Sequence, residues 1–243
     1  MLFHSEHITA ASGSVGGVTY SHSRSGMYRR ARSIPVNPNT TLQTQVRAAL
    51  TAAVTRWTEV LTAAQRTSWD TYGANVPITN ALGAPFNISG QNWYIAANTP
   101  RLQSIAKLAS AIAVVDPAPT MFDRGDFTTP GTPVYSVALG LALPFSTLID
   151  AWSNEDGAAM LIFQGRPRNP SRQFFAGPYR LIGAIEGDSS MPPASPKVIS
   201  SANISLLGYP LVEGQLIRTA VAVTRADGRI STRRELPDVT ANV

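Results

Sequence analysis

The chain has 243 residues, of which 44% are hydrophobic and 14% charged, so it can build a sizeable core with fewer charges than the usual fraction of about 25%. It contains no cysteine, which excludes disulfides and thiolate chemistry. It also lacks an apolar run of about 18 residues and an apolar leader segment, so we expect no transmembrane helix and synthesis in a cytoplasm.

The formal net charge of +5 is unevenly distributed along the chain. Residues 1–40 carry +3, whereas residues 120–243 are neutral overall. Among the 20 basic residues, only Lys107 and Lys197 are lysines. Arginine binds carboxylates, phosphates and carbonyl groups at a lower desolvation cost than lysine, so this composition favours a protein that makes many contacts.

Residues 1–40 are rich in Gly, Ser and Arg and contain few large apolar side chains. Such a segment cannot bury enough apolar surface to offset the entropy lost on ordering. We therefore predict an extended arm that becomes ordered on a neighbouring subunit. This predicts a component of an assembly rather than a self-contained enzyme.

The arm contains a short cluster of interleaved basic and aromatic residues. Protein contact is favoured over nucleic-acid binding because the cluster is short and contains no lysine, although an arginine-rich arm is also compatible with nucleic acid. The predicted partner-binding residues are Arg24, Tyr28, Arg29, Arg30 and Arg32.

Three helices are predicted between residues 41 and 116. The first begins at the capping-box pattern Thr40-Thr41-Leu42-Gln43 and runs for about five turns. Its predicted apolar face comprises Leu42, Val46, Ala49, Leu50, Ala53, Val54, Trp57 and Leu61.

A second capping box, from Thr62 to Gln65, predicts a short helix that carries Trp69 and Tyr72 and ends near Gly73. We expect these two aromatic residues and Trp57 to pack between the two helices. The third helix is predicted to start near Ser89, with a break or kink at Thr99-Pro100.

The segment Asp116-Pro117-Ala118-Pro119 is predicted to be a linker, after which short β runs alternate with Pro, Gly and Asp. About seven strands in about 120 residues favour an antiparallel β-sandwich over residues 120–243. The last hairpin, with its Asp227-Gly228 turn, resembles the final strands of fibronectin type III domains. The predicted strands are Val134–Leu143, Thr147–Trp152, Ala158–Gln164, Tyr179–Glu186, Lys197–Leu206, Gln215–Arg225 and Arg229–Leu236.

Catalytic, cofactor and metal sites are not predicted. All three histidines lie in the arm, where neither a Ser-His-Asp triad nor a complete ligand set can be assembled. The run Gly13–Gly17 lacks the Gly-Lys-Ser/Thr ending of a phosphate loop. A glycan-active sandwich would need a pair of facing carboxylates, and the acidic residues fall instead at predicted turns. The three histidines are His4, His7 and His22. The carboxylates Glu155, Asp156, Glu186 and Asp188 lie beside glycines, where turns are predicted, and are too few to supply the oxygen ligands of a calcium site.

Several motifs resemble an uncharacterised family of bacteriophage and prophage structural proteins over about residues 12–98. They are the Gly/Arg arm that ends at Arg32, the helix start Asn37-Pro38-Asn39-Thr40, and the corner Leu61-Thr62-x-x-Gln65-Arg66-x-x-Trp69. The segment Gly177-Pro178-Tyr179-Arg180 is similar to C-terminal halves of such proteins. The resemblance implies a role in the virion and supplies no catalytic residue.

Taken together, these observations predict an α+β protein in two parts. An extended arm (1–40) and a small helical domain (41–116) precede a fibronectin- or immunoglobulin-like β-sandwich (120–243). The expected function is that of a head-associated cement or decoration protein, anchored by the arm and located in the virion. A neck or tail component, such as a fibre-attachment adaptor, and a nucleic-acid-binding module are the alternatives. The expected partners are capsid, portal, neck or tail subunits and further copies of this chain.

Overall fold

The computed structural model describes residues 12–24, 26–80, 82–108, 112–146, 151–172, 174 and 177–242. The chain divides after Thr40 into two compact units, which we call the N-terminal unit and the second unit. In the described parts of the chain, none of the helices has the length and apolar character needed to cross a membrane.

The N-terminal unit contains a three-stranded antiparallel sheet, which we call the N-terminal sheet. Its strands are β1 (Gly13–Val15), β2 (Val18–Ser23) and β3 (Gly26–Ala31), in the order β1-β2-β3. Gly16 adopts a φ of +56° in the first turn, a conformation that favours glycine. We expected an arm that gains order only on a partner, but short turns let it pair with itself.

The second unit begins with the helical segment, which contains α1 (Thr41–Thr55), α2 (Ala63–Asn75) and α3 (Gly90–Leu108). Five residues of π-helix, Arg56–Val60, continue α1. The backbone N–H of Leu61 closes this wider turn by donating to the carbonyl oxygen of Arg56 at 3.0 Å. The short strands β4 (Ile78–Thr79) and β5 (Pro85–Phe86) pair between α2 and α3.

The predicted corner between the first two helices is confirmed. Thr62 caps α2, its side chain accepts the backbone N–H of Gln65, and the Gln65 side chain accepts the backbone N–H of Thr62. The predicted aromatic packing is also confirmed, and residues of α3 complete it. The buried cluster comprises Trp57, Leu61, Trp69, Tyr72, Val76, Trp93, Tyr94 and Ala97.

Two predictions about the helices need correction. A break or a kink is predicted at Thr99-Pro100, and the break is wrong, because α3 continues through Pro100. The helices α1 and α2 pack against α3, and such packing can override the low helix propensity of proline. The predicted apolar face of α1 is only partly buried. Ala49 and Ala53 are covered, whereas Val46, Leu50 and Val54 remain 37–46% exposed.

The remaining strands form three sheets of the second unit. The strands are β6 (Val134–Ser136), β7 (Gly140–Leu143), β8 (Ala159–Gly165), β9 (Tyr179–Glu186), β10 (Lys197–Ser200), β11 (Leu216–Ile217), β12 (Thr219–Thr224), β13 (Arg234–Glu235) and β14 (Val239–Thr240). Two larger sheets have the orders β10-β7-β6 and β13-β12-β8-β9, with antiparallel neighbours, and β11 pairs with β14. A short helix, α4 (Ser201–Leu207), follows β10.

The four-stranded sheet is buried on both faces. Alternate residues of β8, such as Met160 and Ile162, belong to a core that includes Leu141 and Ile199 of the three-stranded sheet. The intervening residue Leu161 packs with Ile112 on the opposite face. All six residues of β12 are consequently buried.

Several strand predictions need correction. Ser200 accepts the backbone N–H of Asn203, so the predicted strand Lys197–Leu206 turns into α4 after four residues. The predicted strand Val134–Leu143 is interrupted by a turn before Gly140. The last two residues of the predicted strand Thr147–Trp152 lie in a 3₁₀-helix, Ala151–Asn154, and its first four residues lie outside the described residues. The predicted strand Tyr179–Glu186 is confirmed with the same bounds.

Candidate interaction surface

The cross-strand register divides the N-terminal sheet into two different faces. Tyr20 lies opposite Arg29, and Val18 lies opposite Ala31. These pairs share one face with Val15 and Met27, because successive residues of a strand alternate between faces. We call this the Val15 face.

The opposite face is mainly polar, and we call it the Tyr28 face. Thr19 lies opposite Arg30, and Ser21 lies opposite Tyr28. Ser14 joins them, and its hydroxyl lies 2.8 Å from that of Thr19. The Tyr28 face therefore combines several hydroxyl groups with one arginine of β3, Arg30.

The five predicted partner-binding residues are thus distributed around the sheet. Arg30 and Tyr28 lie on the Tyr28 face, Arg29 lies on the Val15 face, and Arg24 occupies the turn between β2 and β3. Arg32 follows β3, and its backbone N–H donates to the carbonyl oxygen of Gly17 at 2.8 Å. The sheet therefore presents positive charge on both faces rather than in one patch.

The described residues of the N-terminal unit are cationic and poorly covered. Residues 12–40 contain four arginines and no carboxylate. None of the described residues in this range is buried. Three apolar side chains, Val15, Ile34 and Val36, are 74%, 76% and 89% exposed. This surface can attract anionic groups and still offers apolar side chains to a partner.

A buried arginine, Arg101, connects the helical segment to the four-stranded sheet in the second unit. Its Nε donates to Thr224 Oγ1 at 3.1 Å, and its Nη1 donates to the carbonyl oxygens of Ala113 and Gly157 at 2.8 and 3.1 Å. Nη2 donates to the carbonyl oxygen of Arg225. Burial lowers the pKa of Arg101 to about 10, and this is opposed by attraction to Asp227 and Glu155.

Asp116 is a second polar junction, at the end of the predicted linker. One of its carboxylate oxygens accepts from Arg56 Nη2 at 2.6 Å, and the other accepts from the Tyr94 hydroxyl at 2.8 Å. Its backbone carbonyl accepts from Trp69 Nε1 at 2.9 Å. The pKa of Tyr94 is raised mainly by burial of its hydroxyl and also by the hydrogen bond to Asp116. These contacts hold the linker against the aromatic cluster.

Sequence reasoning did not identify Arg101 or Asp116 as important residues. A buried arginine with four neutral acceptors has no local sequence signature, because residues 113, 157 and 224–225 supply its partners. Pro117 and Pro119, which follow Asp116, indicated the linker but not its anchoring. Both residues fix the packing of the second unit.

The described residues contain no group of three or more His, Cys, Asp or Glu side chains that could hold a metal ion. His22 lies on β2 opposite Met27, and the predicted candidates His4 and His7 lie outside the described residues. Asp156 lies in a turn, and its carboxylate accepts from the backbone N–H and the hydroxyl of Ser189, at 2.7 and 2.9 Å.

A cavity of about 270 Å³ lies between β9 and β10. Among the described residues that line it, Lys197 is the only charged one, and none of them is a carboxylate or a histidine. The cavity therefore lacks an acid–base pair. Its walls include the aliphatic residues Leu108 and Ile199 and the polar residues Ser200 and Asn203.

Comparison with known proteins gives no match to a family model, a curated protein or a solved structure. Functional inference therefore depends on the residues of this chain.

Proposed function

We propose that this protein is a structural component of a bacteriophage virion. Within that class, we propose a head-associated cement or decoration protein, anchored to neighbouring subunits through residues 1–40. The proposal depends on one observation above all. The N-terminal unit has no buried residue among those described, although it carries four arginines and three strongly exposed apolar side chains.

A three-stranded sheet without a buried core has little stability of its own, because such a sheet normally needs an apolar face that other groups cover. Covering Val15, Ile34 and Val36 would remove apolar area from water, at about 25 cal/mol per Å². Nucleic acid offers phosphates to the arginines but no comparable surface to these three side chains. The exposed apolar residues therefore favour a protein partner.

The exposed stripe on α1 supports the same proposal. Val46, Leu50 and Val54 are spaced four residues apart, so they follow one side of the helix. An uncovered apolar stripe on an otherwise well-packed unit is a feature of surfaces that contact other proteins. It offers a second contact region besides the N-terminal sheet.

We further propose that the strands of residues 120–243 form a β-sandwich of the fibronectin type III kind, displayed at the particle surface. The support is the shared core of the two larger sheets, to which Met160 and Val221 contribute from one sheet and Tyr135 and Leu143 from the other. The role is mechanical and needs no enzyme activity. A neck or tail location would use the same anchoring.

The experiment is complementation of phage that lack this protein with tagged variants, followed by purification of particles on a density gradient. The triple variant R29A/R30A/R32A is compared with R166A/R172A/K197A, which loses the same charge from exposed sites of the second unit. We expect the first variant to be absent from particles and the second to be present. Separating heads from tails then locates the protein.

Equal incorporation of both triple variants would contradict anchoring through the N-terminal unit. Absence of the wild-type protein from purified particles would overturn the virion role. A nucleic-acid-binding function would instead appear as duplex binding by the isolated protein, which weakens steeply with salt and is lost in R29A/R30A/R32A.

A further inference from the structure

The four-stranded sheet of the second unit has a positively charged end. At this end β8 finishes, β9 and β12 begin and β13 crosses, and we call it the arginine-rich end. The segments 163–172, 179–181, 213–219 and 233–238 lie there and contain seven arginines and three carboxylates. They are Arg166, Arg168, Arg172, Arg180, Arg218, Arg233 and Arg234, with Glu213, Glu235 and Asp238.

The opposite end of the same sheet has the reverse composition, and we call it the acidic end. The segments 153–158, 186–191 and 225–229 lie there, next to the start of β8 and the last residues of β9 and β12. These segments contain five carboxylates and two arginines. They are Glu155, Asp156, Glu186, Asp188 and Asp227, with Arg225 and Arg229.

The distance between the two ends lets each act as a separate charge. The seven residues of β8 span about 20 Å, at about 3.3 Å per residue. Charges in solution are screened over about 8 Å at physiological salt. A partner that approaches one end is therefore influenced mainly by the charge of that end.

Two exposed arginines at the arginine-rich end are stacked on aromatic rings. The Arg180 guanidinium lies 4.1 Å from the ring centre of Tyr209, and that of Arg233 lies 4.3 Å from the ring centre of Phe163. Stacking orients a guanidinium and keeps its charge. Burial, and with it repulsion from Arg180, lowers the pKa of Lys107, as expected beside a positively charged surface.

Two exposed aspartates at the acidic end hydrogen-bond to neutral groups of one loop. The Asp156 carboxylate accepts from Ser189. Asp188 Oδ1 accepts from the backbone N–H groups of Ser190 and Met191, at 2.7 and 2.8 Å. Neutral donors stabilise a carboxylate without cancelling its charge.

Each end also exposes a large apolar side chain. Phe174, between Arg172 and Arg180 in the sequence, is 73% exposed. Met191, three residues after Asp188, is 77% exposed. Protein interfaces commonly place apolar groups inside a polar rim, and the thioether of methionine packs well against an aromatic ring. The two ends therefore match in apolar character as well as in charge.

Building on the proposed virion role, we infer that copies of this protein associate head to tail, with the arginine-rich end of one copy against the acidic end of the next. Contact between two like ends would bring charges of the same sign together, which opposes association. The contact therefore joins two different surfaces, so its repetition gives a ring if the rotation closes and a chain of copies otherwise. A second copy is favoured over nucleic acid because it complements both ends, whereas phosphates would complement the arginine-rich end alone.

The first experiment measures self-association of the full chain by sedimentation velocity, over a range of protein concentrations at low and high salt. R166E/R180E/R233E reverses the sign of the arginine-rich end. R166K/R180K/R233K is the matched control, because it keeps the charge at the same three positions. Alanine at Arg166 and Arg172 would leave five arginines against three carboxylates, so charge reversal is the sharper change.

The complementary variant, D156R/E186R/D188R, reverses the sign of the acidic end. It presents positive charge at both ends, whereas R166E/R180E/R233E presents negative charge at both. An equimolar mixture of the two variants restores opposite charges at every contact. Circular dichroism of each variant checks that the fold is retained.

We expect the wild type and the lysine control to associate at low salt and to dissociate at high salt. Each charge-reversed variant should remain monomeric alone, and the mixture should associate. A wild type that stays monomeric would overturn the inference, as would a mixture of folded variants that stays monomeric. Binding of a DNA duplex by a monomeric wild type, lost in R166E/R180E/R233E, would assign the arginine-rich end to nucleic acid instead.

A second experiment locates the contact without changing the charges. The chain contains no cysteine, so F174C marks the arginine-rich end and M191C marks the acidic end with a single thiol each. We expect a short bismaleimide to join F174C to M191C, in a mixture of the two proteins, at least tenfold faster than it joins either protein to itself. Equal rates in the three samples would overturn head-to-tail contact, even where a charge-reversed variant fails to fold.

The particle assay distinguishes failure of this inference from failure of the proposed function. If the wild type is present in purified particles but neither associates in solution nor cross-links between F174C and M191C, the virion role stands and the head-to-tail contact is wrong. If the wild type associates as expected but is absent from particles, the contact stands and the virion role is wrong.

Discussion

Arg101 determines how the helical segment meets the four-stranded sheet. It is fully buried, and its partners in the structure are a hydroxyl and three backbone carbonyls. A guanidinium can satisfy these separate acceptors because its donors have a fixed planar arrangement. A side chain with fewer N–H donors would leave some of these acceptors buried and without a hydrogen bond.

We therefore expect R101K to lower the free energy of unfolding by about 2–4 kcal/mol, because lysine cannot reach all four acceptors at once. Urea denaturation monitored by circular dichroism measures the change. R172K, at an exposed loop position, is the control and should change stability by less than about 0.5 kcal/mol. A similar small effect of R101K would show that the four contacts contribute little.

The pair of Arg218 and Asp238 should make stability depend on acid pH. Arg218 Nε and Nη2 donate to the two carboxylate oxygens of Asp238 at 2.8 and 3.0 Å, and Arg168 also bonds to this carboxylate. The hydrogen bond from Arg218, with attraction to both arginines, lowers the pKa of Asp238 below its ordinary value of 3.8. The native state therefore holds this carboxylate ionised more strongly than the unfolded chain does.

Because the native pKa is depressed, the stabilisation is present above pH 3.8 and is lost as the pH falls through the native pKa. We expect the free energy of unfolding to fall more between pH 7 and pH 3 in the wild type than in D238N, by on the order of 1 kcal/mol. Urea titrations at several pH values provide the comparison. Parallel pH profiles for the two proteins would contradict the assignment.

At the scale of elements, close contact between α2 and α3 depends on glycine. A Cβ at Gly90 would overlap the backbone of Trp69 and Asp70. The backbone N–H of Gly90 also donates to Asp70 Oδ1 at 3.1 Å. The first turn of α3 can therefore approach α2 only without a side chain at this position.

We expect G90A to destabilise the protein by about 2 kcal/mol or more, since the backbones must separate to accommodate the methyl group. Thermal unfolding gives the measurement. G17A is the matched control, because a Cβ at Gly17 would have no atom within 4 Å. A crystal structure of G90A in which α2 and α3 lie at an unchanged distance would show that the overlap is relieved elsewhere.

Elements were predictable where the signal is local. The reciprocal bonds of Thr62 and Gln65 involve residues three apart, so the pattern alone identified the start of α2. The chain from Lys197 to Leu206 was misjudged because its apolar residues fit a strand, while the Ser200 cap converts the second half to helix. Pro100 suggested a break or a kink, but α3 continues through this residue while α1, α2 and β9 pack against the helix.

Candidate-site residues were less predictable than elements. Composition located the arginines of residues 24–32, but their separation onto two faces depends on the pairing of β2 with β3. That pairing requires the turns at Gly16 and Arg24, and an isolated Gly/Ser-rich segment gives little indication of strands. The exposure of Val46, Leu50 and Val54 was also not predictable, because a periodic pattern does not indicate which part of an apolar face is covered.

At the scale of the molecule, residues 41–243 form one compact unit. The turn that follows β12 packs against the helical aromatic cluster, where a Cβ on Gly228 would meet Trp69 Cη2 at 3.3 Å. Ile230 also contacts this cluster. The division into domains 41–116 and 120–243 stays a prediction, and these contacts oppose independent unfolding of the two segments.

We expect a protein of residues 41–243 to unfold in a single calorimetric transition, with equal calorimetric and van't Hoff enthalpies. Its stability should lie within about 1 kcal/mol of the full chain, because none of the described residues of the N-terminal unit is buried. Two separate transitions would instead support independent helical and β domains. The full chain serves as the reference in the same buffer.

The positions of the aromatic residues give the two units different optical properties. All four tryptophans, Trp57, Trp69, Trp93 and Trp152, are buried in the second unit, whereas the N-terminal sheet carries only Tyr20 and Tyr28. Excitation at the red edge of protein absorption therefore reports on the second unit and is insensitive to the sheet. A Tyr28→Trp variant would give the sheet an emission signal of its own, so that the arrival of a partner and the melting of the core could be followed separately in one sample.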